Sequence, residues 1–471
     1  MPERNTIAAY LEAVQEQIRW KRARPVLTRE LERHLEDQRD AFVQEGKAPE
    51  EAERLAVEDM GDPVAVGTEL DRVHRPRPQW GLLGLTLALA VIGAVLRVEF
   101  LRASPYSTGP QVLIKALASL ATLGLGTSAM LGMYFLDVSR LIRHARAVSI
   151  AALAVGLATL LFSAGRMLFF VEAQGTAYYT QYVLPFYPLA YALWLYSWRG
   201  KRWKGLFLVI LGGALLSAVC CLTPSMLGLV TLLFSGLALT LHAAGRDWFG
   251  VGCWKGLAAV LAVPAVMLAC LISRGYLNSF RSRVQIALHP ELDPKGRGFM
   301  GWMLNMFWKD VPPLRQSGSF GAAVHTGVRV RVLTGGGQEL RPIDFSHDFL
   351  PASMAAAWGW VPLALLLAAL AVLLLWLLVK GLRQSYLPGR FVVLAVVMTL
   401  GVQTLFSVAL NFGFVLFSAS LPLVVGSLQT IVDMALIGLA LSVFRGDSIA
   451  REEPGGPLRQ RKRLRVRVEY Q

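Results

Sequence analysis

The chain has 471 residues, of which 54% are hydrophobic and only 17% charged, and its mean hydropathy is +0.48. That composition excludes an ordinary water-soluble globule and points to an integral membrane protein whose main solvent is the bilayer. The formal net charge of +15 resides mostly in short connections between apolar segments and in one tail, which favours membrane lipids over nucleic acid as its partner.

Residues 1–78 read as a small cytoplasmic helical domain in which acidic residues outnumber basic ones. Thr28 is placed to cap a helix whose Leu31, Leu35 and Phe42 lie roughly one face apart, with Gly46 at its end. Pro49 suits the first turn of a second helix that carries Ala52, Leu55, Ala56 and Met60 up to Gly61. Asp62-Pro63 can open a third.

Residues 79–445 form the membrane domain. Runs of about 20 mostly apolar residues, the length that crosses a bilayer, recur here ten times. They are Trp80 to Phe100, Gln111 to Leu136, Ala147 to Ala164, Gln181 to Trp198, Gly205 to Leu222, Ser225 to Ala244, Trp254 to Ile272, Ser353 to Val379, Phe391 to Phe414 and Leu421 to Phe444. The fourth is the shortest.

Positive charge in the short connections alternates. Arg140, Arg143 and Arg146 follow span two; Arg199, Lys201, Arg202 and Lys204 follow span four; Arg246 and Lys255 follow span six; Lys380, Arg383 and Arg390 follow span eight. Lys and Arg concentrate on the cytoplasmic side, so both termini are expected in the cytoplasm. The long connection, residues 273–352, is then expected on the outer side of the membrane.

Within that connection, Phe299, Trp302, Met306, Phe307 and Trp308 suit either an interfacial helix lying on the bilayer or ordinary loop packing. Gly335-Gly336-Gly337 reads as a flexible turn rather than a phosphate loop, because no Gly-Lys-Ser/Thr follows. Ionisable residues inside spans are costly and often functional. Arg97 and Glu99 can neutralise each other or snorkel to the interface, and Asp433 is expected to face the bundle interior. Cys220, Cys221, Cys253 and Cys270 lie in or beside spans and read as small apolar filler. The tail, residues 446–471, carries the basic run Arg459 to Arg467, suited to anionic headgroups.

Two resemblances emerge. The run Glu30 to Gln38, with Glu50-Glu51-Ala52-Glu53-Arg54 and Met60-Gly61-Asp62-Pro63, resembles the permease-prefix domain that precedes some bacterial transporters and membrane enzymes, which implies a docking or regulatory module. The ten-span layout with its long outer loop resembles the SEDS family, the FtsW, RodA and SpoVE proteins of wall synthesis. Arg281-Ser282-Arg283 and Leu288 to Gly298 look like the Arg, Pro, Asp, Pro, Gly, Gly entry to that family's fourth outer loop. Leu340 to Phe349 resembles the segment that ends on the family's catalytic Asp, with Asp348-Phe349 as the matching pair, Ala352 and Gly359 following, and Asp344-Phe345 as a rival pair. Departures are Ala356-Ala357 where the family carries Glu-Glu, Pro224 to Gly228 without the Asp of "PDLGT", and Pro422 to Ser427 for "PFxSYGGS".

The resemblance implies an all-α, ten-helix glycosyltransferase that polymerises lipid II at the outer membrane face, in division, elongation or sporulation. The undecaprenyl diphosphate on a growing glycan leaves as the next 4-hydroxyl attacks. Asp348 would be the base; its alternative role is to cap the helix of span eight near Pro351. Arg281 and Arg283 would contact the diphosphate, with Lys309 and Arg315 as further candidates, and a divalent cation such as Mg2+ could share that task. Solvated loop arginines are the alternative. A class B penicillin-binding protein, a transpeptidase, is the implied partner. Other readings are a non-catalytic lipid II-binding scaffold and a lipid-linked precursor flippase or transporter.

Overall fold

The computed structural model describes residues 6–21, 23–75, 78–103, 109–169, 180–223, 226–261, 276–309, 311–314, 329–334, 337–342, 347–384, 386–424 and 428–446. It divides into two units, the first carrying the N-terminal segment up to Gln79 together with the end of the last helix from Phe444, and the second carrying Trp80–Val443.

The N-terminal unit has four helices: α1 (Ile7–Gln17), α2 (Arg24–Gln44), α3 (Pro49–Met60) and α4 (Pro63–His74). The sequence reading has no counterpart for α1, which Thr6 opens by accepting a hydrogen bond from the Ala9 N–H. Thr28 does not cap α2: that helix starts a turn earlier, with Ala23 at its N-cap and a proline in its first turn, where a missing N–H costs nothing. Asp62 caps α4 through the Ala65 N–H at 2.9 Å. Tyr10, Leu11, Val14, Leu27, Leu31, Leu35, Ala56 and Val57 close the core of this unit.

The second unit is a helical bundle. Its helices are α5 (Trp80–Ala103), α6 (Gly109–Phe135), α7 (Val138–Arg143), α8 (Ala145–Phe169), α9 (Tyr187–Ser197), α10 (Arg202–Leu222) and α11 (Met226–Gly245). There follow α12, described over 253–261, then α13 (Tyr276–Leu288), α14 (Phe299–Lys309), α15 (Leu350–Trp358), α16 (Trp360–Leu382), α17 (Leu387–Asn411) and α18 (Leu428–Gly446). Among the described residues, eight helices are long and apolar enough to cross a membrane. The seventh expected span lies mostly outside the described residues. The fourth is shorter than expected, since its helix α9 has only 11 residues and reaches about 16 Å, roughly half the hydrocarbon thickness. α9 is instead a central post, packed against α8, α11 and α17, with Tyr187 and Tyr191 buried and the Tyr191 hydroxyl 2.6 Å from Thr240 Oγ1.

The long connection before α15 is not purely helical. Strands β1 (Arg329–Thr334) and β2 (Gly337–Pro342) form an antiparallel hairpin in which Arg329 pairs with Pro342 and Thr334 with Gly337. Gly337 thus begins a strand, while Gly335 and Gly336 lie outside the described residues.

Span eight is two helices rather than one. The break falls at Gly359, whose φ is 92°, a left-handed value that favours glycine. The Trp360 and Val361 N–H groups turn to the Pro312 and Pro313 carbonyls at 3.2 and 3.1 Å, so the connection after α14 supplies acceptors for the start of α16. A Cβ at position 359 would approach those carbonyl oxygens to 2.7 and 2.5 Å. We predict that Gly359→Ala costs about 1–3 kcal/mol, to be read as a lower thermal midpoint of the purified protein in detergent.

Candidate functional site

The carboxylate singled out above sits where three elements meet. A single 3-10 turn, His347–Phe349, leads into α15. Phe349 and Leu350 are buried beside it, which leaves Asp348 half-buried. Asp348 does not cap α15: the N-cap is Phe349, whose own side chain makes no capping hydrogen bond.

Asn411, the last residue of α17, is fully buried and organises the turn. Its Nδ2 donates to the Asp348 carbonyl at 2.9 Å and to the Ser407 carbonyl at 2.8 Å, while its Oδ1 accepts from the Ala352 N–H at 3.1 Å. The Asp348 side chain is held separately, with Ser418 Oγ donating to Oδ2. Sequence reasoning found neither partner. They follow Asp348 by 63 and 70 residues, and the signal available was only that a polar Asn closes an apolar run.

α14 covers this junction. Met303, Leu304 and Phe307 pack with Phe349, Ala352, Ala355, Ala356, Ala357, Leu363 and Leu410, each large side chain contributing roughly 1.5–3 kcal/mol if fully buried. Trp308 donates its indole N–H to the Asn411 carbonyl at 2.7 Å and stacks on Phe412 at 4.7 Å. Of the two expectations for this segment, packing describes these contacts. Gly413 has a φ of 96°, and a Cβ there would collide with Asn305. Ala356 and Ala357, where the family resemblance has Glu-Glu, are 1% and 0% exposed in this apolar cluster, surroundings in which unpaired carboxylates would be costly.

Arg281 and Arg283 are exposed on α13. Among the described residues, neither makes a hydrogen bond or ion pair with Asp348. The segment after α13 is a corner: Asp293 Oδ2 accepts from the Arg297 N–H at 2.9 Å, and Pro290 lies buried beside Gly298 and Gly301. The Pro, Asp and Gly residues of that motif therefore shape the turn into α14. Glu291 on this corner is held below its ordinary pKa, first by a backbone hydrogen bond and then by His289, whose Nδ1 is 3.2 Å away. Lys309 is exposed at the end of α14. Arg315 and the rival Asp344 lie outside the described residues. No group of three or more His, Cys, Asp or Glu side chains that could hold a metal ion gathers among the described residues.

A second buried carboxyl stands deeper. Asp433 in α18 is 0% exposed, as expected of a residue facing the bundle interior. Its Oδ2 accepts from the Leu423 N–H at 3.1 Å and its Oδ1 from Gln429 Nε2 at 3.0 Å. In α5, Glu99 forms an ion pair with Arg102 at 2.8 Å.

No family model matches the chain, and no curated protein matches it. Among solved structures, it is similar to a chain described under "Structural coordination of polymerization and crosslinking by a peptidoglycan synthase complex", with 20% identity and a TM-score of 0.55 over 78% of this chain and 98% of that one. It is also similar to the rod shape determining protein RodA of Thermus thermophilus, with 18% identity and a TM-score of 0.49 over 79% of this chain and 97% of that one. The first likeness shows a shared fold: the chain is a helical membrane protein built on the fold of that chain.

Proposed function

We propose that the protein is a peptidoglycan glycosyltransferase that polymerises lipid II at the outer face of a bacterial plasma membrane, with Asp348 as the general base. The observation that carries this reading is the state of Asp348. A carboxylate that served only as a helix cap would spend its oxygens on α15 N–H groups, whereas this one stays half-exposed and is aimed by Ser418 and Asn411. A base must reach the hydroxyl whose proton it accepts, and such exposure allows that.

In this reading, the 4-hydroxyl of the incoming disaccharide loses its proton to Asp348 as its oxygen attacks the anomeric carbon of the growing glycan, and undecaprenyl diphosphate departs. Arg281, Arg283, Lys309 and Arg315 are the cations offered to that leaving group, and the termini and basic connections lie in the cytoplasm. The N-terminal unit serves as a docking or regulatory module. The complex to which the similar solved chain belongs is described as coordinating polymerization and crosslinking, which supports a transpeptidase of the class B penicillin-binding type as partner here.

The test is direct. The purified chain, with a candidate transpeptidase, is given lipid II in lipid vesicles, and glycan strands are resolved by electrophoresis. Strands are the expected result. Saturable lipid II binding without product, with or without the partner, would replace this reading with that of a scaffold.

A further inference from the structure

We infer that Ser418 is a positioning residue for Asp348, selecting which carboxylate oxygen meets the substrate; the inference rests on the reading of Asp348 as base. The two oxygens of a carboxylate are chemically equivalent until something distinguishes them. Here the Ser418 hydroxyl donates to Asp348 Oδ2, while the backbone carbonyl of Asp348 accepts from Asn411 Nδ2 at 2.9 Å. One bond fixes the main chain and the other fixes the carboxylate rotation, so Oδ1 is the oxygen turned toward an incoming hydroxyl.

The placement of Ser418 gives this contact its meaning. Ser418 is itself exposed, so its bond to Asp348 is not a device for satisfying a buried group. It lies in the connection between α17 and α18, a segment held at both ends. Asn411 and Trp308 hold the start. Beyond Ser418, Gln403 Nε2 donates to the Ser420 carbonyl at 3.2 Å, and the Leu423 N–H reaches Asp433 at 3.1 Å. The hydroxyl is therefore carried on a strap with little freedom, and holding a reacting group in one geometry is a direct source of rate.

The experiment compares Ser418→Ala, Ser418→Thr and the unaltered full-length chain in lipid vesicles, with two readouts. In the first, Ser418→Ala lowers kcat for lipid II polymerisation about tenfold with little change in KM, and Ser418→Thr, which keeps a hydroxyl, restores it. In the second, Asp348 is labelled at fixed pH by a water-soluble carbodiimide with an amine and read by mass spectrometry. Ser418 occupies Oδ2 in the unaltered chain, so its removal opens that oxygen to the reagent, and labelling rises several-fold in Ser418→Ala and returns in Ser418→Thr. Turnover and labelling both unchanged in Ser418→Ala would overturn the inference. No glycan from the unaltered chain, together with increased labelling in Ser418→Ala, would leave the Ser418 contact standing and remove only the glycosyltransferase reading.

Discussion

Asp348→Asn, made in the full-length chain and assayed with lipid II, leaves less than about one hundredth of the glycan-polymerising rate. The expectation follows from the chemistry of a general base, whose removal costs between about 10²- and 10⁴-fold. Asn has the same shape and can still accept from Ser418, so the surrounding turn is preserved while the group that takes the proton is gone. Lipid II binding should change little, because that affinity comes from the lipid and the diphosphate, and the thermal midpoint should hold. A variant that polymerises within threefold of the unaltered chain would exclude Asp348 as base and return attention to Asp344.

The second large effect concerns stability. Asp433→Ala removes the acceptor for the Leu423 N–H inside a core where both residues are 1% exposed or less. Leu423 has a φ of 66°, and a non-glycine residue in that region costs on the order of 1–3 kcal/mol, which the surrounding contacts must offset. A further buried donor left without a partner costs about 1–3 kcal/mol. A clear fall in thermal midpoint is therefore expected. Asp433→Asn should lose much less, since its carbonyl oxygen can still accept from Leu423 and Gln429 can turn its own amide to match. Equal midpoints for the alanine variant and the unaltered chain would show that this carboxyl does not hold the connection before α18.

The two effects are separable although both carboxyls bind the same connection. Asp348 meets it at Ser418, where the side chains are open to solvent, so a change there alters chemistry and spares the fold. Asp433 meets it at Leu423, where everything is buried, so a change there alters the fold.

Hydropathy made most of the membrane unit legible. Apolar runs of the right length stand at eight of the ten expected positions among the described residues, because lipid demands internally bonded backbone and apolar side chains from any crossing helix. The fourth span misled for the same reason: Gln181 to Trp198 is apolar, yet Leu189, Tyr191, Leu193 and Leu195 are buried against other helices, and periodicity cannot tell protein from lipid as the apolar neighbour. Span eight misled because an apolar run does not announce a break whose acceptors, the Pro312 and Pro313 carbonyls, come from a different part of the chain.

By itself, the sequence determined that this is a helical membrane protein with a long connection before its last spans, because composition and hydropathy are properties of neighbouring residues. It also drew attention to Asp348 through resemblance, with Asp344 as an open rival. Tertiary structure alone decided what touches Asp348. Asn411 and Ser418 are brought to it from another helix and the connection beyond, and hydrogen bonds across that distance arise only when packing has set both partners within 3 Å of each other.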